Sequence, residues 1–338
     1  MTTPLRRTMP NVSTRGAGRP LAPLSRKVIL AFASVYLIWG STYLAIQIAI
    51  ETLPPLLMAG TRFLIAGTAL YVASRIRGAQ PPTSTHWRST AIVGALLFLG
   101  GNGALVMGEQ RVPSGLAALL LSIIPLWMVL LGSREHNAKL GPRVLAGLCL
   151  GLAGIALLVG PNEVLGHGRV DPLGAAILLV GSLTWACGSL YSRRSLLPQS
   201  TLLAASMEMI AGGLFLTVAG LALGEGPAFE ITTISLRSAL AVTYLITFGS
   251  LLGFTAYSWL LTHSTPARVS TYAYVNPVVA VFLGWMIAKE PVTLRTVLAT
   301  SVIVSAVVLM ISHRVLPVTA EDKKAVAEEE VTTVVPCD

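Results

Sequence analysis

The sequence predicts an all-α integral membrane protein with ten transmembrane helices, arranged as two inverted five-helix repeats. Three observations carry that expectation. Charged residues make up 12% of the chain against 54% hydrophobic, with a mean hydropathy of +0.72, whereas soluble domains carry about 25% charged residues. Uncharged apolar runs such as residues 28–50 exceed the roughly 20 residues that cross a bilayer. Finally, two long apolar runs resemble each other. Residues 112–130 (VPSGLAALLLSIIPLWMVL) and 264–285 (STPARVSTYAYVNPVVAVFLGW) each open on a proline among small residues and carry another proline inside. Pro113 and Pro266 lie 153 positions apart, and Pro125 and Pro277 lie 152 apart.

The ten spans are expected at 28–50, 55–74, 90–108, 112–131, 143–160, 172–192, 201–223, 237–261, 267–287 and 293–312. They fall into halves at 28–160 and 172–312. The repeat is also legible in the second span of each half, where AGTRFLIAG at 59–67 aligns with AASMEMIAG at 204–212, an offset of 145. Five spans per half is an odd number, so the second half enters the membrane upside down. Inverted repeats of this kind build carriers whose substrate site lies near the midplane between the halves.

Orientation follows from Lys and Arg. With the N-terminus inside, eighteen of the 24 fall on the cytoplasmic side and five outside, with Arg62 within a span. Both termini are therefore expected in the cytoplasm. Residues 1–27 read as a disordered basic arm and 316–338 as a disordered polar tail, and the long apolar run after the arm is unlike a signal peptide. The net charge of +9 does not indicate nucleic acid, because the basic residues are divided among short loops. Cys149, Cys187 and Cys337 have neither metal-ligand spacing nor a disulfide framework. HExxH, GxSxG and P-loop patterns are missing, and all five histidines fall in loops or at span ends, so neither an enzyme, a metal nor a cofactor is expected. A membrane-embedded enzyme or a non-transporting scaffold is the rival reading.

Candidate site residues lie deep in the spans. Arg62 is the one basic residue well inside a span and Glu208 the one acid of similar depth. Intramembrane charges are expensive and usually face the bundle interior. The two could form a charged substrate site or gate, a structural ion pair, or, for Arg62, a contact at the interface. Pro125 and Pro277 each remove a helix hydrogen bond, which marks either a hinge beside a cavity or an ordinary kink. Trp39 and Tyr43 lie in a stripe with Tyr36 and Gln47 at steps of 3 and 4, and Trp185 and Tyr257 lie in similar stripes of spans 6 and 8. Such stripes serve helix packing or a ligand, or, near Trp39 and Tyr257, an interfacial aromatic belt. In span 9, Asn276 shares a face with Tyr272, while Tyr274 points nearly opposite. Asn102, in Gly100–Gly103, either bonds a neighbouring helix or lines the cavity. Glu109 and Gln110 read as interface residues at the span's outer end. Gly249 and Gly253 form a small-residue pair suited to close helix packing.

These residues strongly resemble one family. Trp39–Gly40–Ser41–Thr42–Tyr43, Arg62–Phe63–Leu64–Ile65–Ala66–Gly67, the Val112–Leu119 segment VPSGLAAL and the Tyr272–Val278 segment YAYVNPV are similar to the EamA-type transporters of the drug/metabolite transporter superfamily. The resemblance covers about 28–312. It implies a bacterial inner-membrane carrier that exports small metabolites, amino acids or toxic compounds through a central cavity flanked by spans 1, 3, 4, 6, 8 and 9. The implied partners are a small-molecule substrate and the lipid bilayer, with a homodimer left open. Ala288–Lys289–Glu290–Pro291 looks like the family's Gly-Glu-Pro ending. The connection at 132–139 is shorter than is usual in the family.

Overall fold

The computed structural model describes residues 26–135, nine positions from 142 to 157, and 171–311 apart from 228 and 264–271. The expected N-terminal arm, the C-terminal tail and most of the fifth span therefore lie outside the described residues. What is described is all helical: α1 (Arg26–Ala49), α2 (Pro55–Ile76), α3 (Ser84–Gly108), α4 (Ser114–Leu121), α5 (Ile124–Glu135), α6 (Pro172–Ser192), α7 (Thr201–Ala222), α8 (Leu236–Leu260, running on to His263), α9 (Tyr272–Ala288) and α10 (Leu294–Ile311).

Six of these helices, α1, α2, α3, α6, α7 and α8, are long and apolar enough to cross a membrane, and shorter apolar helices occupy Ser114–Met128, Val275–Ala288 and Leu294–Ala306. Large apolar side chains point outward: Leu30 is 66% exposed, Leu240 61% and Trp285 56%. A bilayer covers such a surface; water would not tolerate it over so wide an area. The fold is thus that of a multi-pass membrane protein.

Local chemistry sets the helix ends. Thr83, Asp171, Ser200 and Ser235 each accept a backbone N–H at the start of the following helix, and His86 returns a bond to Thr83 in a capping box. Gly78 and Gly224, with φ of 86° and 84°, end α2 and α7. Around them Ala79 N–H bonds Ser74 O and Glu225 N–H bonds Gly220 O, both closing the same six-residue turn. The same terminating device thus stands at equivalent places in the two halves.

The helices α2 and α7 pack closest, along a seam of glycines. A Cβ added to Gly60 would lie 2.9 Å from Thr217 N and 3.0 Å from Gly213 O, and one on Gly67 would lie 3.0 Å from Ile210 N. Gly94 of α3 sits equally tight: a Cβ added there would lie 2.8 Å from Glu208 O and 2.9 Å from Gly212 N. Small residues let membrane helices approach to backbone contact, where dispersion holds them.

Two features differ from expectation. The fourth span breaks: α4 ends at Leu121, Ser122 caps it, and α5 restarts at Ile124. Pro125 therefore sits in the first turn of a new helix, a position where its missing N–H has no intrahelical partner to lose. Pro277 instead lies inside α9, which continues past it. Moreover, α3 and α8 are not α-helical throughout. Ala95–Gly103 and Leu245–Gly253 are nine-residue π-helical segments, 150 positions apart. Such segments are rare and occur mostly at functional sites.

Candidate functional site

A cavity lies between the two halves at the level of the π-helical segments. Gly101 and Asn102 of the first segment and Gly249 of the second line it, with Trp39, Tyr43, Arg62, Trp185, Tyr272 and Asn276 from the surrounding helices. It leaves about 80 Å³ to the centres of water-sized spheres, several times the roughly 10–15 Å³ that one water needs.

One wall is aromatic. Trp39 is its centre, with ring centroids 4.8 Å from Tyr257, 5.3 Å from Tyr272, 6.2 Å from Phe254 and 6.4 Å from Trp185. The Tyr272 and Trp185 rings meet it nearly edge-on, the arrangement that aromatic quadrupoles favour. The Trp39 indole donates to Gly249 O at 3.2 Å. Glycine is needed there: a Cβ on Gly253 would come within 2.6 Å of Trp39 Nε1, and one on Gly101 within 2.8 Å of the Trp185 ring. The Gly249–Gly253 pair therefore admits side chains of α1, since a Cβ on Gly249 would likewise lie 3.1 Å from the Thr42 methyl.

The other wall is polar. Arg62 is 5% exposed. Its Nε donates to Ser250 Oγ at 2.9 Å, and its guanidinium carbon lies 4.3 Å from the centre of the Phe63 ring. Its Nη1 is buried without a hydrogen-bond partner. No carboxylate among the described residues forms an ion pair with it; Glu109 is within electrostatic reach, but both Glu109 oxygens are buried and unpartnered. Asn102 donates to Leu97 O at 3.2 Å, five residues back in its own π-helical segment, rather than to another helix. Tyr43 presents a half-buried ring with no protein partner for its hydroxyl among the described residues. The Asn276 amide, oriented so that its nitrogen meets acceptors, donates to Tyr36 O at 3.2 Å and Tyr272 O at 3.1 Å.

Six of the residues singled out from sequence thus meet around one cavity: Trp39, Tyr43, Arg62, Asn102, Trp185 and Asn276. Tyr257 stands behind Trp39, 9% exposed, as a second aromatic layer. Glu208 is buried in α7 outside the lining and is not ion-paired with Arg62. The reason is depth. Arg62 is seven residues from the Pro55 end of α2, and Glu208 seven from the opposite-facing Thr201 end of α7. An inverted repeat puts aligned residues on opposite sides of the midplane, here roughly 5–10 Å apart at 1.5 Å per residue. The Tyr274 side chain lies outside the described residues. Glu109 is no surface cap: it is 3% exposed. Sequence reasoning passed over Tyr272 and Phe254 as site residues, although Tyr272 shares a helix face with Asn276 and Phe254 lies in the stripe of span 8.

The end of the bundle nearest the polar wall is held by bonds between the halves. Glu290 Oε1 accepts from Ser114 N–H at 3.0 Å and Ser114 Oγ at 2.7 Å, and its Oε2 from Gly115 N–H at 3.2 Å. Gln47 adds a further acceptor for Ser114 N–H. Glu225 likewise caps α2, accepting from Leu56 and Leu57 N–H at 3.1 and 2.8 Å. Ser238 Oγ donates to Ile48 O, Ser235 N–H to Thr52, and Arg237 pairs with Glu51 at 3.5 Å.

The EamA-like transporter family model matches residues 26–160 and 172–312. The chain is 41% identical over 282 residues to "Uncharacterized inner membrane transporter YedA" of Escherichia coli K12, covering 83% of this chain and 89% of that one. It is 26% identical over 279 residues to the same organism's "Probable amino-acid metabolite efflux pump", covering 80% and 90%. A solved crystal structure superposes with a TM-score of 0.60 at 20% identity, over 84% of this chain and 96% of that one, a likeness of fold.

Proposed function

Because the chain belongs to the EamA-like transporter family, and is a membrane transporter by that membership, we propose that it exports a small metabolite by alternating access at the central cavity. The observation that carries this reading is the lining itself. Trp39, Tyr43, Arg62 and Asn102 come from the first half and Trp185, Gly249, Tyr272 and Asn276 from the second, so any movement of one half against the other reshapes the site. Carriers with inverted repeats work by such rocking. Pro125 at the break between α4 and α5, and Pro277 within α9, serve as the hinges. The relative named as an efflux pump favours the outward direction. The Lys and Arg distribution favours cytoplasmic termini, with the Glu290 end facing outward.

The test is export. Overexpression in a sensitive bacterial host should change the spectrum of metabolites released to the medium, and Trp39→Ala should abolish the change at normal protein abundance. An unchanged spectrum, with native and variant alike, removes the carrier assignment. Phosphatase and fluorescent-protein fusions after Arg77 and Glu230 should report inside and outside.

A further inference from the structure

Three polar lining groups, Arg62, Tyr43 and Asn102, lie nearer the Glu290 end than the rings of Trp39, Trp185 and Tyr272; Asn276, twelve residues from that end, stands among the rings but spends its amide on the Tyr36 and Tyr272 carbonyls. Counted along their helices, Arg62 is seven residues from the Glu290 end, and Tyr43 and Asn102 are six. Trp39 lies ten residues from that end, Trp185 thirteen and Tyr272 sixteen. At 1.5 Å per residue those three polar groups thus stand about 10 Å from the end and the rings about 15–24 Å. A molecule in the cavity meets a cation at one end and ring faces at the other.

Arg62 is built to take an anion. Its Nε is occupied by Ser250, which fixes the plane of the guanidinium. Its Nη1 is buried and lacks a partner, although an unsatisfied buried donor is costly and rare in native proteins. The nearby Glu109 carboxylate leaves Nη1 unbonded. A guanidinium offers donors in a planar fork that matches a carboxylate, and the match strengthens away from water. Tyr43 lines the same cavity, and its hydroxyl has no protein partner among the described residues.

Resting on the carrier reading above, we infer that the substrates are small organic anions: a carboxylate docks on Arg62 Nη1 and an apolar or aromatic body lies against Trp39, Trp185 and Tyr272. The room available fits a compact head group; a bulkier body requires the halves to part. A cationic analogue of the same body leaves Arg62 unsatisfied, and a neutral amide offers Nη1 a carbonyl oxygen without the charge that strengthens the bond.

The probes are 3-phenylpropionate, its amide and 3-phenylpropylamine, which share one body and differ only in the head. Binding to the full chain in lipid nanodiscs is read by tryptophan fluorescence and thermal shift. The expected result is saturable binding of the acid at least tenfold tighter than either analogue. In Arg62→Gln the acid should fall to the level of the amide while amide binding changes far less than acid binding, and Arg62→Lys should keep part of the preference. Equal binding of acid and amide, no saturable binding at millimolar acid, or a preference that survives Arg62→Gln each overturn the anion site. If Arg62→Gln does not fold, the comparison of heads on the native chain still decides. Proteoliposome flux separates the two readings. Acid binding without flux keeps the anion site and removes the carrier; flux of the amide or amine with no preference for the acid keeps the carrier and removes the anion site.

Discussion

Glu290 and Ser114 are 176 positions apart in sequence, yet the carboxylate of one accepts both the backbone N–H and the hydroxyl of the other. A side chain from the second half thereby caps α4 in the first. The opening N–H groups of a helix carry partial positive charge and have no intrahelical partner, so Glu290 satisfies donors buried within the protein, sharing the Ser114 N–H with Gln47. Glu290→Ala should lower stability by about 2 kcal/mol, the usual worth of hydrogen bonds to a charged group. It should also open that end. In a cysteine-free background, Val112→Cys, buried at 1% exposure, should react severalfold faster with an impermeant maleimide when Glu290 is replaced. Unchanged labelling would leave Glu290 as a local cap only.

Gly94 touches backbone, not yielding side chains. Gly94→Ala should therefore force α3 and α7 apart and cost about 1–3 kcal/mol, the range for overpacking. Thermal denaturation in detergent checks this. A melting temperature equal to that of the native chain would mean that the seam has slack.

Lys289 holds φ at 56°, a left-handed conformation that costs a non-glycine residue roughly 1–2 kcal/mol. Lys289→Gly removes that strain but frees the unfolded chain by about 0.4–1 kcal/mol. The expected balance is a slightly more stable protein with unaltered flux. Lys289→Val should be destabilised, since a branched side chain tolerates the conformation least.

Arg62 and Glu208 should behave as independent sites. Their depths differ and they share no bond, so the losses in abundance of Arg62→Ala and Glu208→Ala should add to within about 0.5 kcal/mol in a double-mutant cycle. Recovery of abundance in the double variant would instead reveal an ion pair.

The sequence disclosed the helices more readily than their partners. Apolar runs ending at Pro54, Gly78, Asp171 and Gly224 state their own limits, because caps and breakers act within a few residues. The aromatic stripe of span 1 set Trp39 and Tyr43 on one helix face, and both line the cavity. The roles of Glu290 and Glu225 were not legible, because each acts on a helix more than 160 positions away. Glu208 misled because alignment of the repeats equates residues by order, while inversion mirrors their depth. The π-helical segments left no trace of period: their flanking residues keep φ near −60°, as in an α-helix. Only the run Gly100–Gly103 hinted at irregularity.

Those two segments also make a statement about chain length. A π-helical stretch is an α-helix carrying a surplus residue, whereas one deletion in an ordinary membrane helix turns everything beyond it by about 100°. Removing Leu99 or Leu251 should discharge the surplus and leave the flanking turns facing their old neighbours. The same deletion at Leu178 in α6, fully buried and without such slack, should wreck the packing. Within these helices, then, the floor of the cavity is the place where the protein can lose a residue and still fold, and the place where doing so should silence it.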